Sequence, residues 1–263
     1  MKTVFSFLGA LSTLLISIFT LPASAADQPT VLITGSNRGI GLEIARVYAD
    51  RGWNVIATCR NPSKAEELNK IASEKTNLVV EELDVTDETE IASLAEKYEG
   101  QPIDILINNA AISGAREKQA FGSFDWDTYD FVMDVNVKGP LRTSVAFSDN
   151  VKASEQKKII NISSTQGSIA ETKPGRGNSY FYKSSKSALN MVTHIMAYEM
   201  KADDVIVGLV SPGFVDTNFG GLPTLPGMIT PKESGEAVVA VIDDFTMEQS
   251  GLMITHRGKV APW

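Results

Sequence analysis

The sequence predicts a single α/β domain: a doubly wound parallel sheet of about seven strands with helices on both faces. Three observations predict it. From Thr30 onward, short β-rich runs alternate with helical patterns, the order that successive βαβ units produce. Several of these runs are apolar at nearly every position, as strands covered by helices on both sides must be. No repeat, low-complexity tract or linker interrupts the pattern, so one domain covers residues 26–263.

The first strand is "TVLIT", followed by a glycine-rich turn and the helix "GLEIARVYAD". "WNVIATC" is the second strand, and the helix after it, "PSKAEELNKIASEK", opens with Pro62 in a first-turn position, where its missing N–H costs nothing. The third strand, "NLVVEELD", leads to "DETEIASLAEKY", whose acidic start suits the positive end of a helix dipole. "IDILINNA" precedes a long helix over residues 127–150, and "KKIINISS" precedes another over 179–201. "DVIVGLVS" and a short run near "GLMIT" complete the sheet. The irregular stretches 112–126, 166–178 and 213–231 all follow strands, on the edge of an α/β sheet where ligands bind.

Composition narrows the chemistry. A net charge of -8 offers no basic face for nucleic acid. Cys59 is the single cysteine and His194 and His256 are the only histidines, so neither an intrachain disulfide nor a metal site is expected. Residues 1–25 read as an export signal: Lys2, an uncharged apolar run over 4–21, and Ala23 and Ala25 in an A-x-A cleavage arrangement. Cleavage after Ala25 sends the domain to the periplasm or the exterior. The apolar run of 18 residues also reaches the lower limit for crossing a bilayer, so the alternative is a membrane anchor with the domain outside the cytoplasm.

The turn "TGSNRGIG" supplies Gly35, Ser36, Asn37, Arg38, Gly39, Ile40 and Gly41 between a strand and a helix. Glycines there let backbone N–H groups approach a pyrophosphate, and the helix dipole adds attraction. The spacing is not G-x-G-x-x-G, so its setting carries the inference. Where an NAD enzyme usually has an acidic residue after the second strand, this chain has "ATCRNP". Arg60 in that place and Arg38 in the loop can both bind a 2'-phosphate, so the expected cofactor is NADP(H). The competing reading of Arg60 is a solvated turn residue.

"YKSSK" puts Tyr182 and Lys186 at i and i+4 on one helix face. A phenol titrates near 10 and is a poor acid-base catalyst at neutral pH, whereas a nearby ammonium stabilises phenolate, so the Tyr182 pKa is expected to be lowered. Y-x-x-x-K is common on amphipathic helices, but here it follows "INISS", whose Ser164 can hydrogen-bond a carbonyl oxygen.

Taken in order, "TGSNRGIG", "LDVTD", "INNAA", "VNVKG", "NISS", "YKSSK" and "SPGFVDT" resemble the short-chain dehydrogenase/reductase family in its single-domain, Rossmann-like form, over residues 30–263. Within it, "CRNP", "SKSALNMVT", "PGFVDTNFGG" and the ending "GKVAPW" resemble the carbonyl-reductase branch that holds sniffer-type reductases and the C-factor group. The resemblance implies a tetrad of Asn136, Ser164, Tyr182 and Lys186. Ser164 polarises the carbonyl, Tyr182 donates the proton, Lys186 binds the nicotinamide ribose and lowers the tyrosine pKa, and Asn136 holds a water leading to solvent. It also implies that Asp84 and Val85 contact the adenine, that Asn109 lies along the adenosine ribose, and that Pro212, Gly213, Val215 and Thr217 face the nicotinamide.

Two departures stand out. "NNAA" places Ala111 where the family usually has glycine, and Ser164 and Tyr182 lie 18 residues apart, wider than usual, with "ETKPGRGN" as a small insertion. The expected function is NADPH-dependent interconversion of a small carbonyl and its alcohol, with residues 213–231 as a lid and a homodimer or homotetramer as the assembly. The alternative is an exported cofactor-binding sensor or scaffold with little catalysis.

Overall fold

Alternation of apolar side chains along each strand divides the core into two layers, one on each side of a parallel sheet. The computed structural model describes residues 28–173 and 179–263; the expected export signal and part of the expected insertion lie outside them. Its strands are β1 (Thr30–Ile33), β2 (Asn54–Cys59), β3 (Leu78–Glu82), β4 (Ile105–Asn108), β5 (Gln119–Ala120), β6 (Ser123–Phe124), β7 (Lys158–Ile162), β8 (Ile206–Ser211) and β9 (Met253–Thr255). Seven form the main sheet in the order β3-β2-β1-β4-β7-β8-β9, every pair parallel, while β5 and β6 make a small antiparallel hairpin. The fold is the doubly wound α/β architecture that the sequence predicts.

Val31, Ile33, Ile105 and Ile107 point into the layer packed by α1 (Gly39–Asp50), α2 (Glu66–Glu74) and, through Val238, Val239 and Ile242, the later helix at Pro231–Asp243. Leu32 and Leu106 point the other way, against Ile91 and Leu94 of α3 (Glu88–Lys97) and against Phe147 and Ala197. Strand order reverses between β1 and β4, and the loops leaving their C-terminal ends diverge to open a crevice.

The long helix expected over 127–150 is divided. α4 (Trp126–Met133) runs into one π-helical turn, Asp134–Lys138, then α5 (Gly139–Ala146) and α6 (Ser148–Lys152). Asn136 lies in the wide turn, fully buried, with its amide engaged by a neighbouring loop; π turns of this kind are frequent at functional sites. α7 (Tyr180–Glu199) matches expectation. The helix α8 (Pro231–Asp243) was not anticipated, although its start carries a capping box: Thr230 Oγ1 accepts from Glu233 N–H at 3.1 Å and Glu233 Oε2 accepts from Thr230 N–H at 2.7 Å. Among the described residues no helix is long and apolar enough to cross a membrane.

A buried polar ladder ties the helices to the strands beneath the crevice. Thr143 Oγ1 on α5 donates to Asn108 Oδ1 at 2.6 Å, Asn108 Nδ2 donates to Asn161 Oδ1 at 2.8 Å, and Asn161 Nδ2 donates to Thr193 Oγ1 on α7 at 2.8 Å. Asn108 Nδ2 also donates to Ser144 Oγ at 3.0 Å. All these side chains are buried, so removing a rung leaves its partners without water to turn to. Asn161→Leu is expected to lower stability by about 1–3 kcal/mol, read as a reduced urea midpoint with an unchanged slope. An unchanged midpoint would mean that the ladder does not hold the helices.

Candidate active site

The segments leaving six of the strands line one cleft of about 760 Å³. After β1 comes the glycine turn. Gly35 has φ +69°, and a Cβ there would stand 2.9 Å from Ala110 Cα; a Cβ on Gly41 would collide with Asn109 Nδ2 and the Gly35 carbonyl. Close approach of two loops therefore requires glycine at both places. α1 starts with no side-chain cap and no acidic residue in its first turn, so Gly39, Ile40 and Gly41 present N–H groups at the wall without a side-chain acceptor.

Asn37, Arg38 and Arg60 also line the cleft, as do Asp84, Val85 and Asn109. Arg38 and Arg60 are exposed, and among the described residues neither side chain has a hydrogen bond or ion pair. Lys64, which the sequence reading passed over, joins them on the lining as a third cation. Asp84 Oδ1 accepts from Thr86 N–H at 2.9 Å and from its hydroxyl at 2.7 Å. Asn109 Nδ2 is committed to the carbonyls of Thr34 and Gly35, each at 2.9 Å, so its amide braces the glycine turn as well as facing the cleft. Ser36 is the loop residue that the structure removes from the lining. It is fully buried, with Oγ donating to Ile33 O at 2.9 Å and N–H donating to Thr58 O at 2.8 Å, and it shapes the turn from behind.

Ser164, Tyr182 and Lys186 share the same cleft with Pro212, Gly213, Val215 and Thr217. Ser164 ends the β7 run and caps the short turn Thr165–Gly167, its Oγ accepting from Gln166 N–H at 3.1 Å. Lys186 is 2% exposed; its Nζ donates to Ile162 O at 2.8 Å and stands 5.8 Å from the Tyr182 ring centroid. Asn136 does not reach the cleft. It accepts from Ile112 N–H and donates to Ile112 O, both at 2.8 Å, and donates to Ser185 Oγ at 2.9 Å, which fixes the loop after β4 to α7.

The expected lowering of the Tyr182 pKa is not found. Burial pushes the phenol up to about 12, with the Ser164 hydrogen bond pulling the other way, and burial pushes Lys186 down to about 7. Each group resists ionising because its surroundings solvate charge poorly, so near neutral pH the lysine is only partly charged and cannot draw the phenol down.

The remaining wall is apolar. Phe219 meets Tyr182 edge to face at 5.4 Å between centroids, and Ile112, Phe214 and Leu222 line the cleft with it. Phe214, Phe219 and Leu222 come from the stretch expected to form a lid, whose neck is closed by Ile229 N–H to Phe214 O and Asp216 N–H to Ile229 O, both at 2.9 Å. Phe121 and Trp126 stand aside in an aromatic group around the β5–β6 hairpin, so they do not wall the cleft. Ala111 lies outside the left-handed region of backbone space, which is why alanine is accepted where glycine is usual.

Comparison with known proteins agrees with this geometry. A family model described as short chain dehydrogenase matches residues 29–221. The short-chain dehydrogenase anuI of Penicillium roqueforti is 33% identical over 213 residues, 75% of this chain and 83% of that protein. The NADPH-bound carbonyl reductase from chicken fatty liver superposes with a TM-score of 0.83 at 33% identity, covering 90% of this chain and 99% of that one. The carbonyl reductase Sniffer of D. melanogaster superposes at 0.80 with 25% identity, covering 90% and 100%.

The depressed Lys186 pKa has a consequence for stability. An unfolded lysine titrates near 10.4, so between about pH 7 and that value the unfolded chain holds a proton that the folded chain has released, and stability rises with pH. From about pH 7 to pH 9 the protein without ligand is expected to gain stability relative to Lys186→Met, followed by urea midpoints. Parallel curves for the two proteins would show that the ammonium is not held back.

Proposed function

The chain belongs to the short-chain dehydrogenase family and is an oxidoreductase; from that premise we propose that it reduces small apolar carbonyl compounds with NADPH, Tyr182 donating the proton. The observation that carries this reading is the convergence of Tyr182, Ser164 and Lys186 on a cleft that also holds the glycine turn and two arginines unpaired among the described residues. Two glycines that no side chain can replace, an uncapped helix start and free cations fit an elongated dinucleotide bearing an extra phosphate. Gly35, Gly39, Ile40 and Gly41 would hold the pyrophosphate, and Arg38 and Arg60 the 2'-phosphate. When bound, the nicotinamide supplies the hydride.

The protein's own groups then manage the substrate oxygen. Ser164 and Tyr182, which face the same cleft, offer two hydroxyls to a carbonyl oxygen entering between them. With its pKa pushed up to about 12, Tyr182 keeps its proton at neutral pH and can donate it as the oxygen gains negative charge. Lys186, held by the Ile162 carbonyl, supplies positive charge beside the ring when protonated. Asn136 acts at one remove, fixing Ile112 in the wall and Ser185 on the helix that carries Tyr182. Phe219, Leu222 and Ile112 favour an apolar substrate and keep water from the reacting oxygen.

Tyr182→Phe is expected to abolish reduction of a small aromatic aldehyde while NADPH binding, followed by fluorescence, is retained. In the parent, oxidation of the matching alcohol should climb with pH, because that direction needs the phenolate. Full activity in the phenylalanine variant would remove Tyr182 from the reaction. Arg38→Gln and Arg60→Gln are each expected to weaken NADPH by about tenfold or more and leave NADH nearly unchanged, since each loses a charge-assisted contact to the phosphate. Equal losses for both cofactors would assign the arginines to the loop's structure instead.

A further inference from the structure

Gln119 is absent from the cleft lining, yet it is 1% exposed and both ends of its amide are engaged across the chain. It sits on β5, 62 residues before Phe181, and its Oε1 accepts from Phe181 N–H at 2.9 Å. Its Nε2 donates to Ser113 O at 2.9 Å and to Ala115 O at 3.2 Å. The first contact is a helix cap delivered from a distance. Ser179 makes no side-chain cap bond for α7, so an N–H that the first turn cannot pair internally is satisfied by Gln119. The second contact fixes the loop whose Ala111 and Ile112 form part of the cleft wall.

Phe181 immediately precedes Tyr182 and is itself immobilised, 1% exposed between the rings of Phe124 at 5.7 Å and Tyr129 at 5.2 Å. Ser113 bears on the lid, because a Cβ on Gly220 would collide with its Oγ. Asn136 spans the same gap one turn further along α7, from Ile112 to Ser185. Two buried amides therefore bridge the loop after β4 to the first turns of α7; the sequence singled out Asn136, but for holding a water, and passed over Gln119.

The geometry points to Gln119 as a positioning residue for catalysis: it sets the first turn of α7, and with it the Tyr182 hydroxyl, against the loop whose Ala111 and Ile112 line the cleft. This rests on the reading of Tyr182 as proton donor. Its two arms are chemically separable. Gln119→Glu keeps an acceptor for Phe181 N–H, but its carboxyl offers at most one O–H in place of two N–H groups, so Ser113 O and Ala115 O cannot both be paired. Gln119→Leu removes both arms.

Both variants and Tyr182→Phe, in the full chain, are compared by reduction of 4-nitrobenzaldehyde with NADPH across pH, by NADPH binding, and by hydrogen exchange. In Gln119→Glu, exchange should quicken over residues 111–118 but not 180–184, with KM raised and kcat kept. In Gln119→Leu, exchange should quicken in both segments, kcat should fall about tenfold or more from misplacement of Tyr182, and the alkaline limb of the pH profile should move. NADPH binding should be unaltered in both. A folded Gln119→Leu with parental kcat, KM and pH profile would leave Gln119 a purely structural amide and overturn the inference. Should that variant not fold, Gln119→Glu with parental KM and parental exchange would overturn it alone. Parental activity in Tyr182→Phe overturns the proton-donor reading and this inference with it, whereas an inactive Tyr182→Phe beside unaltered Gln119 variants overturns this inference only.

Discussion

The buried ladder Thr143–Asn108–Asn161–Thr193 is the constraint on which the rest of the site depends. Parallel strands and apolar helices can slide against one another at small cost, since the hydrophobic effect has no preferred direction. Amides in a dry interior do not permit that freedom, because each donor and acceptor has one arrangement in which all are satisfied. The ladder fixes α5 and α7 in register with β4 and β7, and Ser163 Oγ donating to Asn190 Oδ1 at 2.6 Å adds a second rung between the loop after β7 and α7. Tyr182 and Lys186 on α7, Ser164 beside Ser163, and Asn136 before α5 inherit their positions from these bonds.

The same logic explains what the sequence disclosed and what it did not. The fold class and the main-sheet strands were legible because they rest on local period and on continuous apolar runs, such as "ILIN" and "KIINI". The glycine turn and the Tyr182–Lys186 pair were legible because spacing along one loop or one helix fixes their geometry. Roles that depend on distant partners were hidden. "INNAA" and "INISS" drew attention to Asn109 and Ser164, while Asn108 and Asn161 next to them hold the frame. Ser36 was grouped with the loop that it supports from behind, and Gln119 sits in a stretch that looked merely irregular. The π turn at Asp134–Lys138 leaves no periodic trace either, because one extra residue per turn is smaller than the noise in an apolar pattern.

Electrostatics is where the one-dimensional reading went furthest astray. An i, i+4 pair on a solvated helix face would behave as expected, the ammonium lowering the phenol. Here Lys186 is nearly sealed and bonded to a main-chain carbonyl, and burial acts on both groups before they act on each other. Desolvation opposes the charged form of either one, so its effects on a base and on an acid have opposite signs: the lysine falls and the tyrosine rises.

That outcome sets which protonation state the cleft holds ready. A phenol that holds its proton at neutral pH is prepared to give one up, and a lysine poised near neutrality can supply charge only as the surroundings become more polar or more acidic. In the proposed reaction, reduction of a carbonyl creates negative charge on an oxygen beside Tyr182, and donation relieves it. The reverse reaction must begin from phenolate, the form that this interior penalises. Burial of two side chains one helical turn apart thus leaves Tyr182 protonated at neutral pH, the form that the proposed reduction uses.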